Sequence, residues 1–122
     1  MDRDVAAELH ELHARVCKAI ADPKRLLIIN ELRDRELSVG DLCESLDLTQ
    51  SNVSQHLAIL RERGVVAARR EGTSVIYSLR GTKVLAAVDL LREFLAEDLT
   101  DRARLSHSLG DSPVAVEDRP VG

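Results

Sequence analysis

The spacing of apolar residues changes period along the chain, and each change predicts an element. Val5, Leu9, Leu12 and Val16 recur at 4-3-4 spacing, which predicts a first helix over about Val5 to Ile20. Asp2 or Asp4 stands ready to cap it, and so narrow a seam suits packing against another long helix. Asp22-Pro23 opens a second helix. Asp is a good N-cap, and Pro suits the first turn because its missing N–H would be unpaired there anyway. Leu26, Leu27, Ile29 and Leu32 make this helix apolar on most sides, the pattern of a central buried helix. Arg33-Asp34-Arg35-Glu36 is a solvated break. A third helix starts at Ser38, with Ser38 and Asp41 arranged as a capping box and Leu37 with Leu42 as its hydrophobic staple. Val39, Leu42, Cys43 and Leu46 form its apolar face.

Asp47-Leu48 is a short link to the next stretch, LTQSNVSQHLAILRERG, Leu48 to Gly64. Val53, Leu57 and Leu60 fall at i, i+4 and i+7 and make one apolar stripe. Thr49 caps the first turn, Leu48 and Val53 staple it, and Gly64 ends it. The face opposite the stripe carries Gln50, Ser51, Asn52, Ser54, Gln55 and His56. Two short helices joined by a tight turn, the second polar at its start, form a helix-turn-helix pattern. Beyond Gly64 the period drops to that of strands. Residues 65–70 and 74–79 are rich in β-formers, with Glu71-Gly72-Thr73 as the turn between them and Arg69, Arg70 and Thr73 near its tip. A hairpin directly after a helix-turn-helix is a wing. The last helix opens at Thr82 and reaches about Asp98 or beyond, with Val84, Val88, Leu91 and Leu95 again at 4-3-4 and Leu85, Leu90 and Phe94 widening the apolar surface. Matching seams on the first and last helices predict a homodimer through both. The fold class is therefore mainly α with a β-hairpin wing, α-α-α-α-β-β-α. One winged domain spans residues 1–104, and a disordered C-terminal tail spans 105–122.

Composition refines this picture. Only 2% of the 122 residues are aromatic, so the core is aliphatic and stacking platforms for single-stranded nucleic acid are missing. The net charge of −4 argues at first against a nucleic-acid partner. Read by segment, however, residues 48–80 carry Arg61, Arg63, Arg69, Arg70 and Arg80 against Glu62 and Glu71. Local basicity is what counterion release on duplex DNA requires. Lys24 and Arg25 could also touch phosphate, or serve only as surface residues. No apolar run approaches a membrane span and the acidic start MDRDVAAE is unlike a signal peptide, so a cytoplasmic protein is expected. Two cysteines make no disulfide framework. An enzyme reading has only the one-turn spacing of His13 and Cys17 behind it, with no Gly-rich oxyanion loop and no obvious substrate cleft.

The stretches CKAIADPKRL (17–26), LTQSNVSQHL (48–57), LRERGVV (60–66) and Arg70-Glu71-Gly72 leading to Tyr77-Ser78-Leu79 resemble the ArsR/SmtB family of bacterial winged-helix repressors, over most of residues 5–98. The resemblance implies a dimer that occupies double-stranded operator DNA and leaves it when an inducer binds. It also implies metal sites, and these do not carry over. Ser38 and Gly40 stand where the third-helix site has a Cys-x-Cys pair. Gly81, Lys83 and Phe94 stand at last-helix ligand positions, with only Glu97 retained. No metal or other cofactor is expected.

Three alternatives stay open beside that reading. His10, His13 and Cys17 share one side of the first helix, but they would need a fourth ligand, such as Cys43 or His107, to close on a metal. The plainer reading makes the histidines solvent-facing and Cys17 core. Cys17 and Cys43 both read as buried small hydrophobes, or alternatively as a thiol switch for an oxidant or reactive-sulfur inducer. Finally, a winged helix can serve protein contact instead of DNA. A neutral or acidic recognition face would favour that use, and this one is polar and net basic.

Overall fold

The computed structural model describes residues 2–108, and the tail beyond lies outside the described residues. Helix α1 covers residues 3–20 in three continuous pieces, an α segment (Arg3–Leu12), a π turn (His13–Cys17) and a last α turn (Lys18–Ile20). Of the two candidate caps it is Asp2 whose carboxylate accepts the Asp4 N–H. In the π turn the Lys18 N–H reaches back to His13 O, so an extra residue enters the turn. The 4-3-4 phase breaks there. Val5, Leu9 and Leu12 are exposed, whereas Val16 is half-buried and Ala19 is in the core. Cys17, expected to be buried, is exposed: the core takes the side of the helix that carries Val16 and Ala19, and a residue two positions from Ala19 lies on the opposite side.

Helix α2 (Pro23–Glu31) begins as expected at Asp22, whose carboxylate accepts the N–H groups of Lys24 and Arg25. Its inward face is Ile28, Ile29 and, just past its end, Leu32. Leu27, expected inside, is 48% exposed. The core meets this helix along one side only, and Leu27 lies off it. Strand β1 (Leu37–Ser38) is an element the hydrophobic pattern does not announce, since two residues are too few to show a period. Helix α3 (Val39–Leu46) has the complete capping box, with Ser38 Oγ accepting from Asp41 N and Asp41 accepting from Ser38 N. It ends at Asp47 in the left-handed region, φ 55°.

Helix α4 (Gln50–Glu62) buries Val53, Leu57 and Leu60 completely. Its end is a Schellman motif: the Val65 N–H bonds Leu60 O at 2.9 Å and the Gly64 N–H bonds Arg61 O at 3.0 Å. Val65 and Leu60 are both buried, which supplies the apolar contact that goes with this motif. Gly64 sits at φ +81°, in the region that favours glycine. Strands β2 (Val66–Glu71) and β3 (Ser74–Leu79) then pair antiparallel, Glu71 opposite Ser74, around the two-residue turn Gly72-Thr73. Gly72, at φ +64°, supplies the positive angle that a II′ hairpin needs at its first central position. β1 joins the far edge of β3 through Leu37 opposite Tyr77, so the wing is a three-stranded sheet of order β1-β3-β2.

The described residues fall into two units that divide between Leu85 and Ala86. The first has one aliphatic core, to which α1 gives Ala19, α2 Ile28 and Ile29, α3 Leu42, α4 Val53, Leu57 and Leu60, the wing Val65 and Val66, and the start of the last helix Leu85. That last helix, α5 (Lys83–Ser108), continues through the second unit, four residues past the boundary at which the tail is expected. Leu90, Leu91, Phe94, Leu95, Leu99 and Leu105 are exposed on it.

One prediction tests the end of α4. A Cβ at Gly64 would meet Arg80 Nη1 at an ordinary 3.6 Å, so substitution strains the backbone without a clash. Gly64→Ala is expected to cost about 1 kcal/mol, a fall of roughly 4–8 °C in melting midpoint for a domain of this size. A variant melting with the wild type would show that the left-handed residue is not needed.

Candidate nucleic-acid interface

With one stripe of α4 committed to the core, its other residues are displayed. Gln50, Ser51, Ser54 and Gln55 are exposed, and Asn52 and His56 are half-buried at the edge of that face. Thr49 accepts the Asn52 N–H at 3.2 Å through its hydroxyl oxygen, which leaves the hydroxyl proton free to donate. Short amides and hydroxyls at the start of a helix are the groups that read base edges and hold phosphates. The α3–α4 pair, joined through Asp47-Leu48-Thr49, forms the helix-turn-helix.

The first turn of α2 stands beside this face. Lys24 Nζ donates to Asn52 Oδ1 at 3.4 Å. Arg25 turns inward instead: Nε donates to Ala19 O, Nη2 to Lys18 O at 3.4 Å, and Nη1 to His56 Nδ1 at 3.1 Å. Arg25 therefore ties the end of α1 to the recognition helix. Arg63 makes a second tie at the C-terminal end of α4, donating to Ala14 O in the π turn at 2.7 Å. Sequence reasoning missed both ties. The signal for the first was the Asp22-Pro23-Lys24-Arg25 run, where the cap sets the direction in which Arg25 leaves the helix. Nothing in the sequence pointed to the second.

The two wing arginines part company. Arg69 forms ion pairs with Glu36 at 2.6 Å and Glu71 at 2.9 Å. Hydrogen bonds to Glu36 and then Glu71 hold its guanidinium above its ordinary range. Arg69 thus fastens the wing to the loop before β1, and its charge is already answered. Arg70 lies next to it on the exposed strand end, opposite Val75 and on the alternate face of the sheet. It has no carboxylate partner among the described residues. Thr73 is exposed at the tip.

Residues 22–68 match the model of the arsR family of bacterial regulatory proteins. An uncharacterised HTH-type transcriptional regulator of Mycobacterium tuberculosis, Rv0081, is 40% identical over 102 residues, 83% of this chain and 90% of that protein. Its crystal structure superposes with a TM-score of 0.70 at 41% identity, over 78% of this chain and 96% of that one. This chain belongs to the arsR family. Among its relatives in the family, the transcriptional activator HlyU of Vibrio cholerae is 46% identical over 80 residues, 66% of this chain and 74% of that protein. The homodimeric winged helix-turn-helix DNA-binding domain Mb0332 of Mycobacterium bovis superposes with a TM-score of 0.70 at 32% identity, over 81% of this chain and 91% of that one.

The metal chemistry that arsR-family resemblance implies does not fit these residues. Ser38 is spent on the capping box, and Gly40 has no side chain to offer. Among the described residues no group of three or more His, Cys, Asp or Glu is placed to hold an ion, so none of them joins His10, His13 and Cys17 as a further ligand. Cys17 and Cys43 are both free, the first exposed and the second half-buried against the core.

Asp22 anchors the α2 end of the interface. Partial burial would raise its carboxyl. The N–H groups of Arg25 and Lys24 outweigh that, with the Arg25 guanidinium beside it, and hold it below the ordinary carboxylate value of 3.8. A lowered pKa gives stability that is fully present above the unfolded value and lost as pH falls through the folded one. Asp22→Ala is expected to cost about 1 kcal/mol near neutral pH, and urea melts should show that difference shrinking below pH 3.8. A constant difference from pH 7 down to 2 would mean that the carboxylate charge contributes nothing.

Proposed function

We propose that this arsR-family chain is a homodimeric, sequence-specific DNA-binding transcriptional repressor that occupies an operator and leaves it when an inducer binds. The observation that carries the reading is the division of α4, with Val53, Leu57 and Leu60 wholly buried while Gln50, Ser51, Ser54 and Gln55 are displayed. In this reading Thr49, Gln50, Ser51, Asn52, Ser54, Gln55 and His56 face the major groove, and Arg70 and Thr73 reach the flanking backbone. Lys24, held beside Asn52, adds a phosphate contact. Arg69 acts at one remove by holding the wing in place. Binding DNA, not catalysis, is the task, and the cytoplasm is where it is done. No helix among the described residues is long and apolar enough to cross a membrane.

HlyU is named an activator, and the same interface serves either sign of regulation. Where the operator lies relative to the promoter decides which. Repression fits an operator that overlaps the promoter. The inducer acts through groups other than the family's metal positions, which hold Ser38, Gly40, Gly81, Lys83 and Phe94.

Two recognition helices related by a two-fold axis call for an inverted repeat with half-sites one helical turn apart or a multiple of it. A mobility shift on the duplex upstream of the protein's own gene tests this, and binding no tighter than to random duplex at moderate salt defeats it. Gln55→Ala is expected to lose about 1–3 kcal/mol and relax one base position. Arg70→Ala should weaken all sequences alike and lower the salt slope by about one. Arg69→Ala should leave the slope nearly unchanged, because Glu36 and Glu71 already neutralise that charge. Equal slope changes for the two arginines would contradict the division of labour on the wing.

The exposed apolar faces of α1 (Val5, Leu9, Leu12) and α5 (Leu91, Leu95) support the dimer. Leu9→Glu or Leu91→Glu would bury a charge at such an interface, at a cost of several kcal/mol. Each is expected to sediment as monomer or aggregate and to lose the operator. A monomeric wild type in sedimentation would remove the basis for this.

A further inference from the structure

Within the interface, His56 has an unusual neighbour. Arg25 Nη1 lies 3.1 Å from its Nδ1, and a guanidinium can only donate. Nδ1 must therefore be the unprotonated ring nitrogen, and in the neutral imidazole the proton sits on Nε2. The orientation of the Arg25 fork does not depend on His56. Its Nε and Nη2 are held by Ala19 O and Lys18 O, two of the last carbonyls of α1, which have no partner within that helix. Nε2 has no hydrogen-bond partner among the described residues. His56 is only half-buried, and no buried side-chain nitrogen or oxygen lacks a partner. The Nε2–H group is therefore open to solvent, on the helix that displays Gln55 and Ser54.

We propose that Arg25 is a positioning residue for DNA recognition, locking His56 into the Nε2–H tautomer so that the recognition helix presents one fixed N–H donor to an acceptor on the duplex. The acceptor is a phosphate oxygen or a purine N7 or O6 on the base edge, since all of these take an N–H. Arg25 itself does not touch the DNA. A free imidazole exchanges tautomers and would offer a donor only part of the time, and a free guanidinium at this place would compete for phosphate without selecting a direction. Holding the ring from inside removes both alternatives. The tie also makes the position of His56 depend on the end of α1, the helix with the exposed apolar seam.

The inference rests on the DNA-binding reading, and the two can fail separately. In the free protein, long-range ¹H–¹⁵N spectra at pH 8 should show His56 Nδ1 as unprotonated and Nε2 as the N–H nitrogen. Arg25→Met should return the ring to a mixture. A wild-type His56 protonated at Nδ1, or already a mixture, overturns the proposal, and that measurement holds even if Arg25→Met fails to fold. On the duplex upstream of the gene, His56→Gln keeps an amide N–H at the place of Nε2 and should bind within about three-fold of wild type. His56→Asn keeps one only at the place of Nδ1 and should lose about ten-fold, near the 1.4 kcal/mol that a tenfold change represents. A loss of equal size on random duplex identifies phosphate as the acceptor, and a loss confined to the operator identifies a base edge. If His56→Asn binds like wild type, His56 donates nothing and the proposal fails. A wild type that binds no duplex defeats the DNA-binding reading first, and leaves the tautomer measurement standing.

Discussion

Burying the stripe Val53, Leu57 and Leu60 is the constraint from which the rest of the molecule follows. All three are fully removed from solvent. Burying each such side chain is worth about 1.5–3 kcal/mol, so together they outweigh any single polar contact in the domain. Once they are inside, the orientation of α4 about its own axis has no freedom left. Its amides and hydroxyls must face out, and the elements packed against it cover the stripe. α2 brings Ile28 and Ile29 to it, α3 brings Leu42, and the first residues of the wing bring Val65 and Val66. With almost no aromatic residues available, this cover has to be assembled from small contributions by every helix.

The polar ties then fix what burial leaves loose. An apolar stripe sets rotation about a helix axis well but resists sliding along the axis poorly. Here α4 is held by directional bonds at its middle and at its C-terminal end. Arg25 connects His56 to the last carbonyls of α1, and Arg63 connects the C-terminal end to Ala14 O in the π turn. Both ties land on α1 and use carbonyls at places where the regular α-helical pattern is interrupted. Such carbonyls are open to side-chain donors. A helix with an exposed apolar seam is thus connected at two points to the helix that displays the polar face. Any event that moves α1 has a mechanical route to the recognition residues.

Electrostatics works by local arrangement, not by total charge. The chain is net acidic, yet the wing carries cations. They are not equivalent: Glu36 and Glu71 use up Arg69 to fasten the sheet to the preceding loop, while the strand alternation turns Arg70 the other way. Exposed ion pairs contribute little to stability on their own. Their effect here is to decide which arginine remains available for a phosphate.

Much of this could be read from the amino-acid sequence, because it depended on local chemistry. The N-caps at Asp2, Asp22, Ser38 and Thr49, the capping box, the stripe on α4, its stop at Gly64 and the turn at Gly72 each lie within a few neighbouring residues. The polar face of the recognition helix followed from the same periodicity. What depended on distant partners could not be read. β1 exists only because β3 is there to pair with it, and Leu27 exchanged places with Ile28 because the core meets α2 from one direction. Cys17 lies outside because the core takes the Val16 and Ala19 side of α1, and which side it takes is settled only by packing. Side-chain chemistry across long separations was the least legible part. Arg25 meets His56, Arg63 meets Ala14 and Arg69 meets Glu36 only after packing has brought their elements together. A helical period records which face a residue takes, and carries no information about what waits on the other side.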